Sequence, residues 1–371
     1  MKAPWKILFI YFLLLVMVLL SDAQAGLKED QLDEAKTEYA LGNYQKALSI
    51  FKPFAEQGNA YAQHFLGMMY SKGSGVQQNN TEAAEWYRRA AHQGFSFSQH
   101  NLGTMYENGR GVPQDYAEAI KWYSEAVDQG HPVSPLNLGL MYQYGRGVSQ
   151  NLEKAAELFR KGADQGNADA QFKLGLMYYS GWGVSKDYMK AASLFHKAVN
   201  QVSLDPQNRS AAQFNLGGLY YKGWGVVQDF KEAVKWFRKE AEQGHAGAQY
   251  NLGIAYFKGE GVKEDFVEAS NWFLKTAEQN HILAQFLLGH MYKKGLGVSQ
   301  DFVQAYKWFR IAASQGESQF NKHAVADYNS LSEEYAKHAI NRYNSLKERM
   351  SPDQIEEAKK LAREWKPKSP Y

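Results

Sequence analysis

The sequence predicts an all-α fold, a solenoid of stacked antiparallel helix pairs, on three observations. A Leu-Gly pair recurs with its glycine at Gly67, Gly103, Gly139, Gly175, Gly217, Gly253 and Gly289. Successive gaps are 36 residues except for one of 42 between Gly175 and Gly217, and a fixed period of this length marks stacked helical units. Each copy continues to a Tyr three residues on (Tyr70 through Tyr292) and to a Gly-x-Gly-Val, from Gly73 through Val76 to Gly295 through Val298. Those glycines admit the positive φ angles that stop one helix and turn the chain toward the next. Four residues past the second glycine stands Asn79, Asp115, Asn151, Asp187, Asp229, Asp265 or Asp301, each a good N-cap for a second helix. Glu82, Glu118, Glu232, Glu268 or Gln304 follows three residues later and predicts a capping box in five of seven units; Lys154 and Lys190 break it in the other two.

Composition agrees with one repeat array more than with separate globules. The chain of 371 residues is 44% hydrophobic and 14% aromatic, enough for a large core, and its 22% charged residues with a formal net charge of +3 give no reason to expect nucleic acid as a partner. Units that touch only their neighbours make one continuous body, expected as a monomer. With no cysteine, the chain has neither a disulfide nor a thiol for lipid attachment.

At the N-terminus, two lysines within Met1 to Lys6 precede an unbroken apolar run of 14 residues, Ile7 to Leu20, and a small-x-small site at Ala23-Gln24-Ala25. This reads as a secretory signal peptide over residues 1–25, cleaved between Ala25 and Gly26. The apolar run falls short of the ~20 residues that span a bilayer as a helix, and no second run of that length follows. Export, to the periplasm or beyond, is the expected destination.

Residues 26–58 predict a helical hairpin, Leu27 to Leu41 and Tyr44 to Gln57, broken at Gly42-Asn43. Its pattern differs from the later units, as suits an N-terminal cap. Seven units then fill 59–315. The recurring glycine inside each first helix costs about 1 kcal/mol of helix propensity relative to Ala, so it implies close approach of the partner helix. Each second helix carries an adjacent pair placed where units meet: Trp86-Tyr87, Trp122-Tyr123, Leu158-Phe159, Leu194-Phe195, Trp236-Phe237, Trp272-Phe273 and Trp308-Phe309. The extra six residues of the long gap fall in Val202 to Arg209, where Pro206 predicts a longer loop at the rim. Residues 316–371 predict C-terminal capping helices, the last opened by Ser351-Pro352-Asp353-Gln354, and then a loose tail from Lys366 to Tyr371.

Seven in-phase copies of Leu-Gly-x-x-Tyr-x-x-Gly-x-Gly-Val followed by a capped helix resemble the Sel1-like repeats, relatives of the tetratricopeptide repeats, over roughly Ala55 to Gln315. The resemblance implies a right-handed superhelix whose first helices line a concave face, with Met350 to Trp365 as a closing helix. It also implies a scaffold or adaptor for protein complexes, in bacteria often in the envelope or in dealings with a host cell. A cell-wall role, holding peptidoglycan or an envelope enzyme, is the alternative.

If the first helices line that face, residues three before, one after and four after each glycine point into it. In three consecutive units these are Phe172, Leu176 and Tyr179, then Phe214, Gly218 and Tyr221, then Tyr250, Ile254 and Phe257. The first two units carry His64, Met68 and Ser71, and His100, Thr104 and Glu107 at the same places. Contiguous exposed aromatics anchor protein partners, so the later set predicts a protein-binding groove. Burial against the adjacent helix is the competing reading for Phe172, Phe214, Tyr250 and Phe286. Trp182 and Trp224, inside their Gly-x-Gly loops, either grip a ligand or fold back over helix ends.

Chemistry finds little support. The Gly-x-Gly lacks the preceding strand and third glycine of a dinucleotide fingerprint, and the ten histidines form no His-x-x-x-His pair. His64 and His100, one unit apart, are placed roughly 10 Å from each other by helix packing, too far to share a metal. Exported relatives linked to penicillin binding or β-lactam hydrolysis are rich in cysteine, which this chain lacks, and no motif joins Ser, His and acid. No enzyme activity, cofactor or metal is expected. The sequons at Asn79 and Asn208 carry meaning only in a eukaryotic source.

Overall fold

The computed structural model describes residues 29–317 and 326–368, without side-chain placement for 316–317 and 326–332. Ala25, Gly26 and the rest of the expected signal peptide lie outside the described residues. Every regular element among the described residues is helical. In chain order they are α1 (29–40), α2 (Tyr44–Glu56), α3 (Ala60–Lys72), α4 (Asn80–His92), α5 (Ser96–Asn108), α6 (Tyr116–Asp128), α7 (Ser134–Tyr144), α8 (Leu152–Asp164) and α9 (Ala168–Ser180). There follow α10 (Tyr188–Val199), α11 (Pro206–Lys222), α12 (Phe230–Glu242), α13 (Ala246–Lys258), α14 (Phe266–Glu278), α15 (Ile282–Lys294), α16 (Phe302–Glu317), α17 (Ala326–Leu346) and α18 (Pro352–Glu364). The chain divides into two compact units, one of residues 1–174 with 182–185 and one of 175–181 with 186–371. Within each, most consecutive helices pack on one another, and α18 packs on α16. No helix among the described residues is long and apolar enough to cross a membrane.

The glycine inside each first helix has the packing reason its recurrence implies. A Cβ on Gly217 would lie 2.6 Å from the Phe237 ring, and one on Gly103 would lie 2.8 Å from the Tyr123 ring. The second residue of each aromatic pair therefore lies flat against the bare backbone of its own first helix. The first residue of the pair reaches the preceding repeat instead: Trp122 packs with Ala84 and Ala91, and Trp272 with Val234 and Ala241. Tyr123 and Phe237 are almost completely buried, and a large aromatic at such a site contributes ~3 kcal/mol or more against truncation.

The two loop glycines divide their work. The first, such as Gly223 at φ 68°, is the left-handed C-cap of its helix. The second presses on the repeat before it, since a Cβ on Gly261 would lie 2.2 Å from the Phe230 carbonyl oxygen. Only glycine allows that approach.

The capping boxes are corrected by the structure. Asp229 accepts the Lys231 and Glu232 backbone N–H groups at 2.9 and 3.0 Å. The Asp229 backbone N–H, which Glu232 was expected to receive, donates instead to the Tyr220 carbonyl at 3.1 Å. The same bond joins Asn79 to Tyr70 at 2.9 Å and Asp115 to Tyr106 at 3.0 Å. With that donor taken, the carboxylates turn elsewhere: Glu118 accepts the Trp122 indole N–H at 3.1 Å, and Glu232 pairs with Lys235 at 2.7 Å. A reciprocal box closes at Ser351 and Gln354, ahead of α18.

Two further expectations change. The insertion lengthens both connection and helix: residues 200–205 join α10 to α11 where 243–245 join α12 to α13, while Pro206 itself occupies the first turn of α11, where its missing N–H costs nothing, and Asp205 caps it. Most of the extra length lengthens that helix to 17 residues against 13 in α13. Arg209 then donates to the Val199 and Gln201 carbonyls at 2.7 and 2.6 Å, satisfying the end of α10. The C-terminal segment is not loose as far as Lys368, whose backbone N–H and ammonium both reach Glu278, at 2.8 Å each. Trp365 meets Trp308 edge to face.

Candidate functional site

The predicted groove residues sit on α9, α11 and α13, first helices of three successive repeats. In the second compact unit, Tyr179, Phe214, Tyr221, Tyr250 and Ile254 line one cavity of about 550 Å³, closed on one side by Tyr335 of α17. Gly218 opens it: a Cβ there would meet nothing within 4 Å, whereas Leu140, Leu176 and Ile254 hold the same place in other repeats. Leu176 is half-buried, and Phe257 stands beside the cavity, edge-on to Phe266 at 5.3 Å. Phe172 is only 2% exposed and belongs to the other compact unit. It is a core residue there, which corrects its assignment to the groove.

Phe214 and Tyr250 are partly packing residues as well. Each lays one face on the histidine that caps the next first helix, Phe214 on His245 at 4.7 Å and Tyr250 on His281 at 4.7 Å. Burial lowers the pKa of both histidines, His281 to about 4, so these partners are neutral rings. Tyr221 donates its hydroxyl to Glu260, which also lies 3.7 Å from Lys258. Burial first, and then that carboxylate, raises the Tyr221 pKa. Trp224 stacks on Tyr188 at 4.9 Å while staying 41% exposed at the cavity edge. It therefore both folds back and presents a surface. Trp182 is 50% exposed.

Sequence reading missed the positions two before and five after each glycine. Asn215 and Asn251 lie in the cavity wall, with Lys222 and Lys258 beside them. Their signal was present as a recurring Asn and a recurring Lys in the repeat.

In the first compact unit the same face is differently built. A cavity of about 390 Å³ is lined by His64, Met68, Ser71, Lys72 and Arg110 among others. His64 Nδ1 lies 2.9 Å from the Ser98 hydroxyl, and His100 and His131 both place Nδ1 2.9 Å from the Ser134 hydroxyl. His131 Nδ1 accepts the Ser134 backbone N–H at 3.1 Å, so it carries a lone pair. Ser134 then donates to His131, and His100 donates to Ser134. The His100 and His131 rings stack at 4.3 Å. Among the described residues no group of three or more His, Cys, Asp or Glu is placed to hold a metal.

The Sel1 repeat family model matches residues 38–59, 60–95, 96–131, 136–167, 168–203, 210–245, 246–281 and 282–317. The chain belongs to the Sel1 repeat family. The first matched segment falls in the hairpin expected as a cap, so that hairpin shares the Sel1 pattern in part. Similar solved structures include a protective antigen present in uropathogenic Escherichia coli strains displaying an SLR fold, 30% identical over 92% of this chain and 85% of that one, with a TM-score of 0.47. Another is a Sel1 repeat protein from Oxalobacter formigenes, 29% identical over 67% of this chain and 96% of that one, with a TM-score of 0.54. None of the curated proteins compared with the chain matches it. Sel1 repeats form a protein-interaction scaffold fold, and protein is the class of partner the fold suggests.

Proposed function

We propose that this chain is an exported, non-enzymatic scaffold that binds partner proteins on the first-helix face of its second compact unit, in the cell envelope or at contact with a host cell. The observation that carries the reading is the aromatic cavity around Gly218, where consecutive Sel1 repeats expose Tyr179, Phe214, Tyr221 and Tyr250 to one space. Aromatic anchors in a concave patch supply the large, rigid contact area that hot spots use. The export half rests on the N-terminal segment, Ile7 to Leu20 followed by Ala23-Gln24-Ala25.

Pull-down with the immobilised chain from envelope and host-cell lysates, beside a Tyr179→Ala, Tyr221→Ala, Phe257→Ala triple variant and a Gly218→Leu variant, tests the binding half. Proteins captured by the wild type should be lost from both variants while circular dichroism stays the same. Equal capture by all three chains would remove this face as the site. Fractionation should place the chain outside the cytoplasm with Gly26 as its N-terminal residue, and a chain retained in the cytoplasm with Met1 intact would end that half of the reading.

A further inference from the structure

The cavity carries a more specific chemistry than aromatic contact, and it shows in which amides are left unused. In the first compact unit the asparagines two before the glycine lie beside tyrosines of the preceding repeat: Asn137 donates to Tyr123 at 3.3 Å, and Asn101 lines one cavity with Tyr87. In the second unit those tyrosines are replaced by Phe195 and Phe237, which offer no hydroxyl. The Asn215 side chain keeps one bond, to the Ala211 carbonyl of its own helix at 2.8 Å, and the Asn251 side chain makes none among the described residues. Both line the cavity. The two amides stand one repeat apart, on α11 and α13.

Charge gives the second observation. Five residues past the glycine, three consecutive repeats carry Lys222, Lys258 and Lys294, and Lys293 stands next to the last. Lys222 and Lys258 border the cavity. From Tyr335 at the cavity edge, Arg342 follows two turns along α17 on the same side. Burial, then Arg342, Arg349 and Lys294, together lower the Lys293 pKa. Among the described residues no carboxylate pairs with Lys293, Lys294, Arg342 or Arg349, whereas Glu260 answers Lys258 alone.

We infer that the occupant of this face is an extended acidic segment of a partner protein. Its apolar side chain enters the space over Gly218, the Asn215 and Asn251 amides hold its backbone, and its carboxylates run along the lysine row toward Arg342. The inference rests on the binding reading above and narrows it to one class of partner.

Fluorescence anisotropy on the full-length chain tests it, with three dye-labelled probes: a peptide in which Glu alternates with Phe and Leu, the same peptide with Lys for Glu, and poly-Glu of equal length. The acidic apolar peptide should bind best and weaken with added salt. Removing both amides, Asn215→Ala with Asn251→Ala, should weaken it roughly tenfold, and Lys222→Glu with Lys294→Glu by at least as much. The Gly218→Leu chain should bind no better than poly-Glu binds the wild type. Equal binding of the Lys-containing peptide, or failure of the acidic peptide to bind at all, overturns the acidic partner while leaving the binding face to the pull-down. Equal binding of poly-Glu, or full binding by Gly218→Leu, overturns the role of the cavity itself. Circular dichroism and melting of each variant separate loss of contact from loss of fold.

Discussion

The first-helix faces of the two compact units are built on one frame and finished differently. Around His64 and His100 the face carries imidazoles bonded to Ser98 and Ser134, and Asn137 bonded to Tyr123. Around Gly218 phenylalanines replace the tyrosines behind the asparagines, a side chain is missing, and aromatics, the Asn251 amide and lysines face one open space. The difference teaches that stacking is set by the glycines, the aromatic pair and the caps, which both units share, while binding is set by the positions between them.

The largest test of that division uses two neighbouring residues. Gly217→Ala places a methyl 2.6 Å from the Phe237 ring and should cost about 1–3 kcal/mol. Gly218→Ala enters open space and should gain up to about 1 kcal/mol of helix propensity. Urea melts of the two variants measure both, and equal effects would merge structural and binding positions again.

Acid should strain the units unequally. An unfolded histidine takes up its proton near pH 6.5, whereas burial lowers the pKa of His64 and His131 to about 4 and of His100 to about 3. Between those values the unfolded chain binds protons that the folded chain excludes. Stability is therefore full above about pH 6.5 and falls on acidification toward pH 4, by up to about 1.4 kcal/mol per pH unit for each such histidine. In the second unit, among the described residues, His281 alone is lowered to about 4. Urea midpoints at pH 7 and pH 5 should differ less for a His64→Asn, His100→Asn chain than for the wild type, and an unchanged difference would remove these rings as its source.

Smaller effects test what the units share. Asp115→Ala and Asp229→Ala should each cost about 1 kcal/mol, one cap in each unit, and a large inequality would show that the frame is not common. Lys368→Ala should shift melting least. Its ion pair with Glu278 is 2.8 Å long but the lysine is 70% exposed, and exposed pairs contribute about 0–1 kcal/mol.

Much of the frame was legible because it repeats. Gly67 and its equivalents, the Gly-x-Gly stops and the Asn or Asp caps announce helices by period and chemistry alone. Their exact bonding was not legible: Glu232 fits a capping box locally, and only the tertiary approach of Tyr220 shows that the box's donor is already spent. Pro206 reads as a break until Asp205 is seen to cap it. Of the site, the aromatic set was visible as a departure from the earlier repeats, but Phe172 shared the pattern and is buried. Asn251 carries no local signal of being free. Its freedom depends on Phe237, in the preceding repeat, lacking a hydroxyl.

Hydrogen exchange on the full-length chain, with and without the Glu, Phe and Leu peptide, tests the central claim most directly. The account predicts slowed exchange in α11 and α13 and none in α3 or α5. Slowing confined to α3 and α5, with α11 and α13 unchanged, would contradict it.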